Sequence, residues 1–233
     1  MKQSDFLEKT RNAYLEAREC SFLPKSNASI LSRGTSHSIS SITEDLFGCY
    51  CAEKVTEPNG IKILVDPPIS FKGTELKNRS GKRSLLLRPD IAFTKDNVVN
   101  CFFDIKTDLG YKRFEFLNQA KDRNNQLNTI KEKYANYKDG KTKKNQRVKI
   151  STDIKFIYVV ISQGNIGIDK MNDFISGIEL LENVDVFVIS KGEHLNSYND
   201  ISKTEINVVD FNRLDKLINE KLNGKTVPNN GYS

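Results

Sequence analysis

Residues 88–106 read RPDIAFTKDNVVNCFFDIK, two apolar runs that carry charges where a buried strand should have none. Charged groups in a sheet core are costly unless they are paired, hydrated or bound to an ion. Side chains alternate along a strand, so residues two apart share a face. In VVNCFFDIK, Cys101, Phe103 and Ile105 then form one apolar face, and Asn100, Phe102, Asp104 and Lys106 form the other. In SLLLRPDIAF at 84–93, read as one strand, Leu85, Leu87, Ile91 and Phe93 share the buried side, leaving Arg88, Asp90 and Ala92 opposite. A turn around Lys95-Asp96-Asn97 joins the two. With Asn97 at its centre, facing residues have numbers that sum to 194, and Asp90 faces Asp104.

Cross-strand carboxylates sit about 5 Å apart at Cβ and repel unless a cation or a proton lies between them. Two carboxylates without a His or Cys partner suit a hard ion such as Mg²⁺, with Mn²⁺ as a substitute. An adjacent lysine can orient a water and neutralise charge developing on a phosphate. The pair plus Lys106 is the minimum equipment for metal-assisted hydrolysis of a phosphodiester.

Periodicity sets the elements around this stretch. An amphipathic helix covers 4–19, and a second begins in SISSITEDLFGCYCAEKV, with Ser41-Ile42-Thr43-Glu44 as a capping box and Ile42, Leu46 and Cys49 as its stripe. IKILV at 61–65 is a strand ended by Asp66-Pro67-Pro68. A long polar helix is expected from about 113 to 137, then a basic loop at 138–149 and an apolar strand at 153–162. Helix 169–182, strands 184–190 and 205–209, and helix 210–222 follow. This order predicts one α/β domain over 1–222, its core at about 35–190, and a flexible tail at 223–233.

Pro89-Asp90, followed fourteen residues on by Asp104-Ile105-Lys106, resembles the PD-(D/E)xK motif of the restriction-endonuclease-like nucleases. The element order over roughly 35–162 is similar to that family's αβββαβ core, a mixed sheet flanked by helices, here with appended α/β elements. The resemblance implies that Asp90, Asp104 and the backbone carbonyl of Ile105 ligate a catalytic Mg²⁺ and that Lys106 serves the attacking water. It also implies an acid on the preceding helix. Glu44 and Asp45 compete closely on the residues alone, and family practice favours Glu44. Lys112, Arg113, Gln119, Lys121 and Arg123 begin the helix after the motif strand, where such proteins contact phosphates; Arg88 shares a face with Asp90 and is placed either to hold a phosphate or to pair with Asp104.

The expected activity is a Mg²⁺-dependent DNA endonuclease of restriction or phage-defence type, acting on double-stranded DNA as a homodimer. A Holliday-junction resolvase, a repair exonuclease and a non-catalytic nucleic-acid-binding module are the alternatives. A formal net charge of +6 suits a polyanionic partner. Basic residues concentrate at Lys72, Lys77, Arg79, Lys82, Arg83 and Arg88 and again at 138–149, the second cluster reading as a solvated loop. Cys20, Cys49, Cys51 and Cys101 lack cluster spacing, which disfavours zinc or an iron–sulfur exonuclease and suits a cytoplasmic protein. Thr35, Ser36, His37 and Ser38 read as capping residues near a helix start, and His37 and His194 are isolated in the sequence. No Walker A, GxGxxG or GxSxG sequence occurs, so no nucleotide cofactor is expected, and no apolar run is long enough for a membrane span.

Overall fold

The computed structural model describes residues 1–22, 39–72, 84–109, 115–164, 166–195 and 204–224. It is an α/β structure with a mixed, mostly antiparallel sheet between helices. In chain order the elements are α1 (Gln3–Phe22), α2 (Ser40–Ala52), β1 (Ile61–Val65), β2 (Ile69–Lys72), β3 (Ser84–Leu87), β4 (Ile91–Lys95) and β5 (Val98–Lys106). They continue with α3 (Phe116–Ile130), β6 (Tyr134–Lys138), β7 (Asn145–Val160), α4 (Ile168–Glu179), β8 (Val184–Val188), β9 (Ser190–Gly192), β10 (Thr204–Ile206) and α5 (Val208–Asn223).

The main sheet runs β1-β4-β5-β7-β6-β2-β3, and β8 also pairs with β7. β5, β7 and β8 are mutually parallel, joined by α3 and α4 crossovers; the other pairs are antiparallel. Alternation along β5 sends Cys101, Phe103 and Ile105 into a core shared with α1, α2 and α5. Phe102 goes into a second core under α3 and α4, so both faces of the central strands are buried.

The expected pairing of β4 with β5 forms by a different route. Asp96 and Asn97 both have positive φ (50° and 61°), which makes a two-residue hairpin turn. That turn pairs Lys95 with Val98 and Thr94 with Val99. A bulge at Asn100 then shifts the ladder by one, pairing Phe93 with Cys101 and Ile91 with Phe103. Turn and bulge together restore the sum of 194. Gly60, at φ 74°, lets the turn approach closely and accepts a 2.9 Å hydrogen bond from the Asp96 N–H.

Four expectations are corrected. Residues 84–93 are two strands: β3 pairs with β2 at one edge of the sheet, and β4 lies between β1 and β5. Pro89 has no N–H for a ladder, and the pairing breaks there. Leu87 therefore packs in the α3/α4 core while Ile91 packs in the other. The long helix ends at Ile130, because Glu132 adopts φ 64° and the chain re-enters the sheet as β6. The basic segment 138–149 is a hairpin whose second half is β7. Finally, α2 has Ile39 at its N-cap with no side-chain capping bond, and it buries Thr43, Phe47, Tyr50 and Cys51 while Ile42 and Cys49 are exposed. Aromatic burial decides that rotation, since Phe47 meets Phe6 and Phe103, and Tyr50 meets Phe6 and Phe211. The segments holding Thr35 to Ser38, Lys77 to Arg83, Lys112, Arg113 and most of the tail lie outside the described residues.

Candidate active site

Asp90 sits where the chain leaves the Pro89 break and enters β4, one position beyond the Ile91–Phe103 pair and thus opposite Asp104. Its Oδ2 accepts a 2.5 Å hydrogen bond from the N–H of Ile105, and its backbone carbonyl accepts one of 2.7 Å from the N–H of Asp66. These bonds fix the carboxylate at the end of β5 and draw the end of β1 beside it. For Ile105 the side chain is core and the main-chain N–H holds Asp90.

Asp104 and Lys106 project from the same face of β5, with side chains 17% and 34% exposed. The Lys106 ammonium contacts Asp104 Oδ1 as an ion pair. That oxygen is buried and accepts no aligned hydrogen bond, so the contact compensates its charge without satisfying its lone pairs.

The electrostatics tie four residues together. Burial, then the charge of Asp104, and further that of Glu44, raise the Asp90 carboxyl to about 7, against the Ile105 N–H and Lys106, which favour the anion. Glu44, half-buried on α2, is raised by burial and then by Asp66, Asp45 and Asp104, with Lys106 opposing. Asp45 is exposed. The structure thus brings Glu44, Asp90, Asp104 and Lys106 into one field. Asp66, absent from the sequence-level site, belongs to it too. Its signal was the strand-ending Asp-Pro-Pro, which marks a turn and says nothing about its neighbours.

On the α3 side, Asp104 borders a cleft of about 210 Å³ with Gln119, Asp122, Arg123, Gln126 and Tyr158. Tyr158 is the β7 partner of Asp104, and burial and that carboxylate both raise its hydroxyl pKa while hydrogen-bonded Arg123 opposes. Arg123 also donates a 2.7 Å bond to Gln126. Gln119 therefore reaches the site, whereas Lys121 is exposed elsewhere on α3. Arg88 lies outside this cluster, in a separate groove with Lys72 and Lys138, and Lys106 rather than Arg88 pairs with Asp104. His194 is buried, 2.7 Å from Asp108 and edge-on to Tyr14, so its isolation in the sequence does not persist in the fold.

Among the described residues, no group of three or more His, Cys, Asp or Glu side chains is arranged to hold a metal ion. Asp90 and Asp104 fit a hard ion that takes two protein carboxylates and completes its shell with water and phosphate oxygens. Two observations support that fit: the buried Asp104 oxygen without an aligned donor, and the burial and facing charge of Asp104 that raise the Asp90 carboxyl. No helix among the described residues is long and apolar enough to cross a membrane. Comparison with protein-family models, with curated proteins and with solved structures gives no match to this chain.

Proposed function

We propose that this chain is a Mg²⁺-dependent deoxyribonuclease with a restriction-endonuclease-like core, hydrolysing DNA phosphodiester bonds as a restriction or phage-defence endonuclease. The observation that carries the proposal is the register of Asp90 opposite Asp104 at one strand end, with Lys106 paired to Asp104. With β2 and β3 inserted after β1 and β6 inserted after α3, the remaining order α2-β1-β4-β5-α3-β7, with β1, β4 and β5 adjacent and β7 parallel to β5, supports the fold assignment.

Asp90 and Asp104 would hold the ion, and Glu44 sits near enough in charge to act through a water. When bound, Mg²⁺ supplies Lewis-acid stabilisation of the reacting phosphate. The chain's own residues do the rest. The Ile105 N–H holds Asp90 in place. Neutralising the acids frees the Lys106 ammonium from Asp104, so that it can hydrogen-bond the attacking water and offset charge on the phosphate. The cleft beside Asp104, with Gln119 and Arg123, offers donors to a neighbouring phosphate. A homodimer would supply two such centres, one for each strand of a duplex.

The test is cleavage of plasmid DNA in Mg²⁺ and in EDTA, with wild type, Asp104→Ala and Lys106→Ala. Cutting should require the metal and be lost in both variants. Metal-dependent cutting that survives both substitutions refutes the assignment.

A further inference from the structure

The sheet extends beyond the helical layers. β2, β3, β6 and the first part of β7 bury one face, through Phe71, Leu87, Ala135 and Val148, in the α3/α4 core. Their other face is exposed, with Leu86 at 54% and Tyr134 at 57%. Alternation puts Lys72, Lys138, Arg147 and Lys149 on that open face, and Arg88 follows at the end of β3. Register makes the group contiguous: Tyr134 pairs with Lys149, Asn136 with Arg147, and Ser70 with both Leu86 and Asn136.

These five cations have no ion-pair partner among the described residues. Asp139, next to Lys138 in sequence, turns into its own loop to bind the N–H groups of Lys141 and Thr142. A groove of about 550 Å³ runs between Lys72, Arg88 and Lys138, with the side-chain amides of Asn136 and Asn145 on its walls. Arg147 stacks over the Tyr134 ring with 4.0 Å to its centroid, which fixes the ring's orientation. Arg88 is two residues from Asp90, so their Cα atoms lie within about 8 Å.

We infer that this open sheet face is a docking platform for a single-stranded stretch of polynucleotide, which it leads towards Asp90. Charge complementarity selects a polyanion. The exposed oriented aromatic ring and the interleaved amides select unpaired bases over a duplex, because a stacked duplex presents no base face to Tyr134. The inference rests on the nuclease reading for the strand's fate, but not for its docking.

The test is fluorescence anisotropy of a labelled mixed-sequence single strand and its duplex, with the full chain in EDTA so that nothing is cut. Five phosphate contacts predict that single-strand affinity falls about 100-fold between about 50 and 200 mM salt. The double variant Lys138→Glu/Arg147→Glu should lose about tenfold or more and flatten that salt slope. Tyr134→Ala should weaken the single strand about tenfold and leave the duplex unchanged. A second pair, Lys72→Gln/Arg88→Gln, repeats the measurement on other strands if the first variant fails to fold.

Wild-type affinity in both double variants, insensitivity to Tyr134→Ala, or equal affinity for the duplex overturns the platform. The two proposals fail separately. Platform-dependent binding without Mg²⁺-dependent cleavage refutes the nuclease and keeps the platform. Asp104-dependent cleavage with platform variants that bind like wild type does the reverse.

Discussion

Replacing Asp90 by Asn removes a charge and keeps the acceptor for the Ile105 N–H, and it should stabilise the metal-free protein at alkaline pH. The folded-state carboxyl is raised from an ordinary 3.8 to about 7. Below pH 4 both the folded and the unfolded chains are protonated, and Asp90 has no net effect on stability. Between pH 4 and 7 the unfolded chain has lost the proton that the folded chain retains. Stability therefore falls as pH rises through this window, and the full penalty stands above 7. Three units at 1.36 kcal/mol each set a ceiling of about 4 kcal/mol. Solvent screening of a carboxyl that is not fully enclosed lowers it, to about 2–4 kcal/mol. For a chain of this size that range is roughly 5–10 °C in Tm. Thermal unfolding in EDTA should show Asp90→Asn melting higher than wild type by this margin at pH 8, with the gain vanishing near pH 4. Mg²⁺ should then raise the Tm of wild type at pH 8 by more than that of the variant, which keeps Asp104 but has lost the second carboxylate that the ion relieves. An Asn variant no more stable than wild type at pH 8, or a gain equal at both pH values, refutes the reasoning.

Three further outcomes are expected. Lys106→Ala should reduce single-turnover cleavage by about 10²–10⁴-fold while leaving DNA binding in EDTA intact, the mark of a residue that serves the water rather than the complex. Gly164→Ala should cost about 1–3 kcal/mol in denaturant unfolding, since its new Cβ would collide with the backbone of His194, which cannot move as a side chain can. Tyr50→Phe should cost about 1–2 kcal/mol, because it removes the 2.6 Å bond to Asp215 and leaves that carboxylate with Lys54 and Gln3.

The core face of β5 was legible in the residues because a period of two is a local property: Cys101, Phe103 and Ile105 could share no other arrangement in a strand. The facing of Asp90 and Asp104 was legible for a weaker reason. The expected single-centre turn was replaced by a two-residue turn and a bulge at Asn100, whose offsets cancel. A hairpin with the same two apolar runs and no bulge would have put Asp104 out of step with Asp90.

Other features depend on which elements meet. The break at Pro89 was visible as a proline, yet nothing local says that β3 and β4 take positions far apart in the sheet. The buried face of α2 was set by contacts of Phe47 and Tyr50 with rings more than 40 residues away, against the local stripe of Ile42, Leu46 and Cys49. Asp66 joined the site through a hydrogen bond to the Asp90 backbone, and the basic segment after α3 became one side of an open face only by pairing with β2 and β6. Periodicity is written along the chain, so strands, their faces and the candidate metal acids can be read there. Pairing partners and covered faces are chosen by long-range burial, where the largest apolar surfaces win, and that competition is resolved only in the folded molecule.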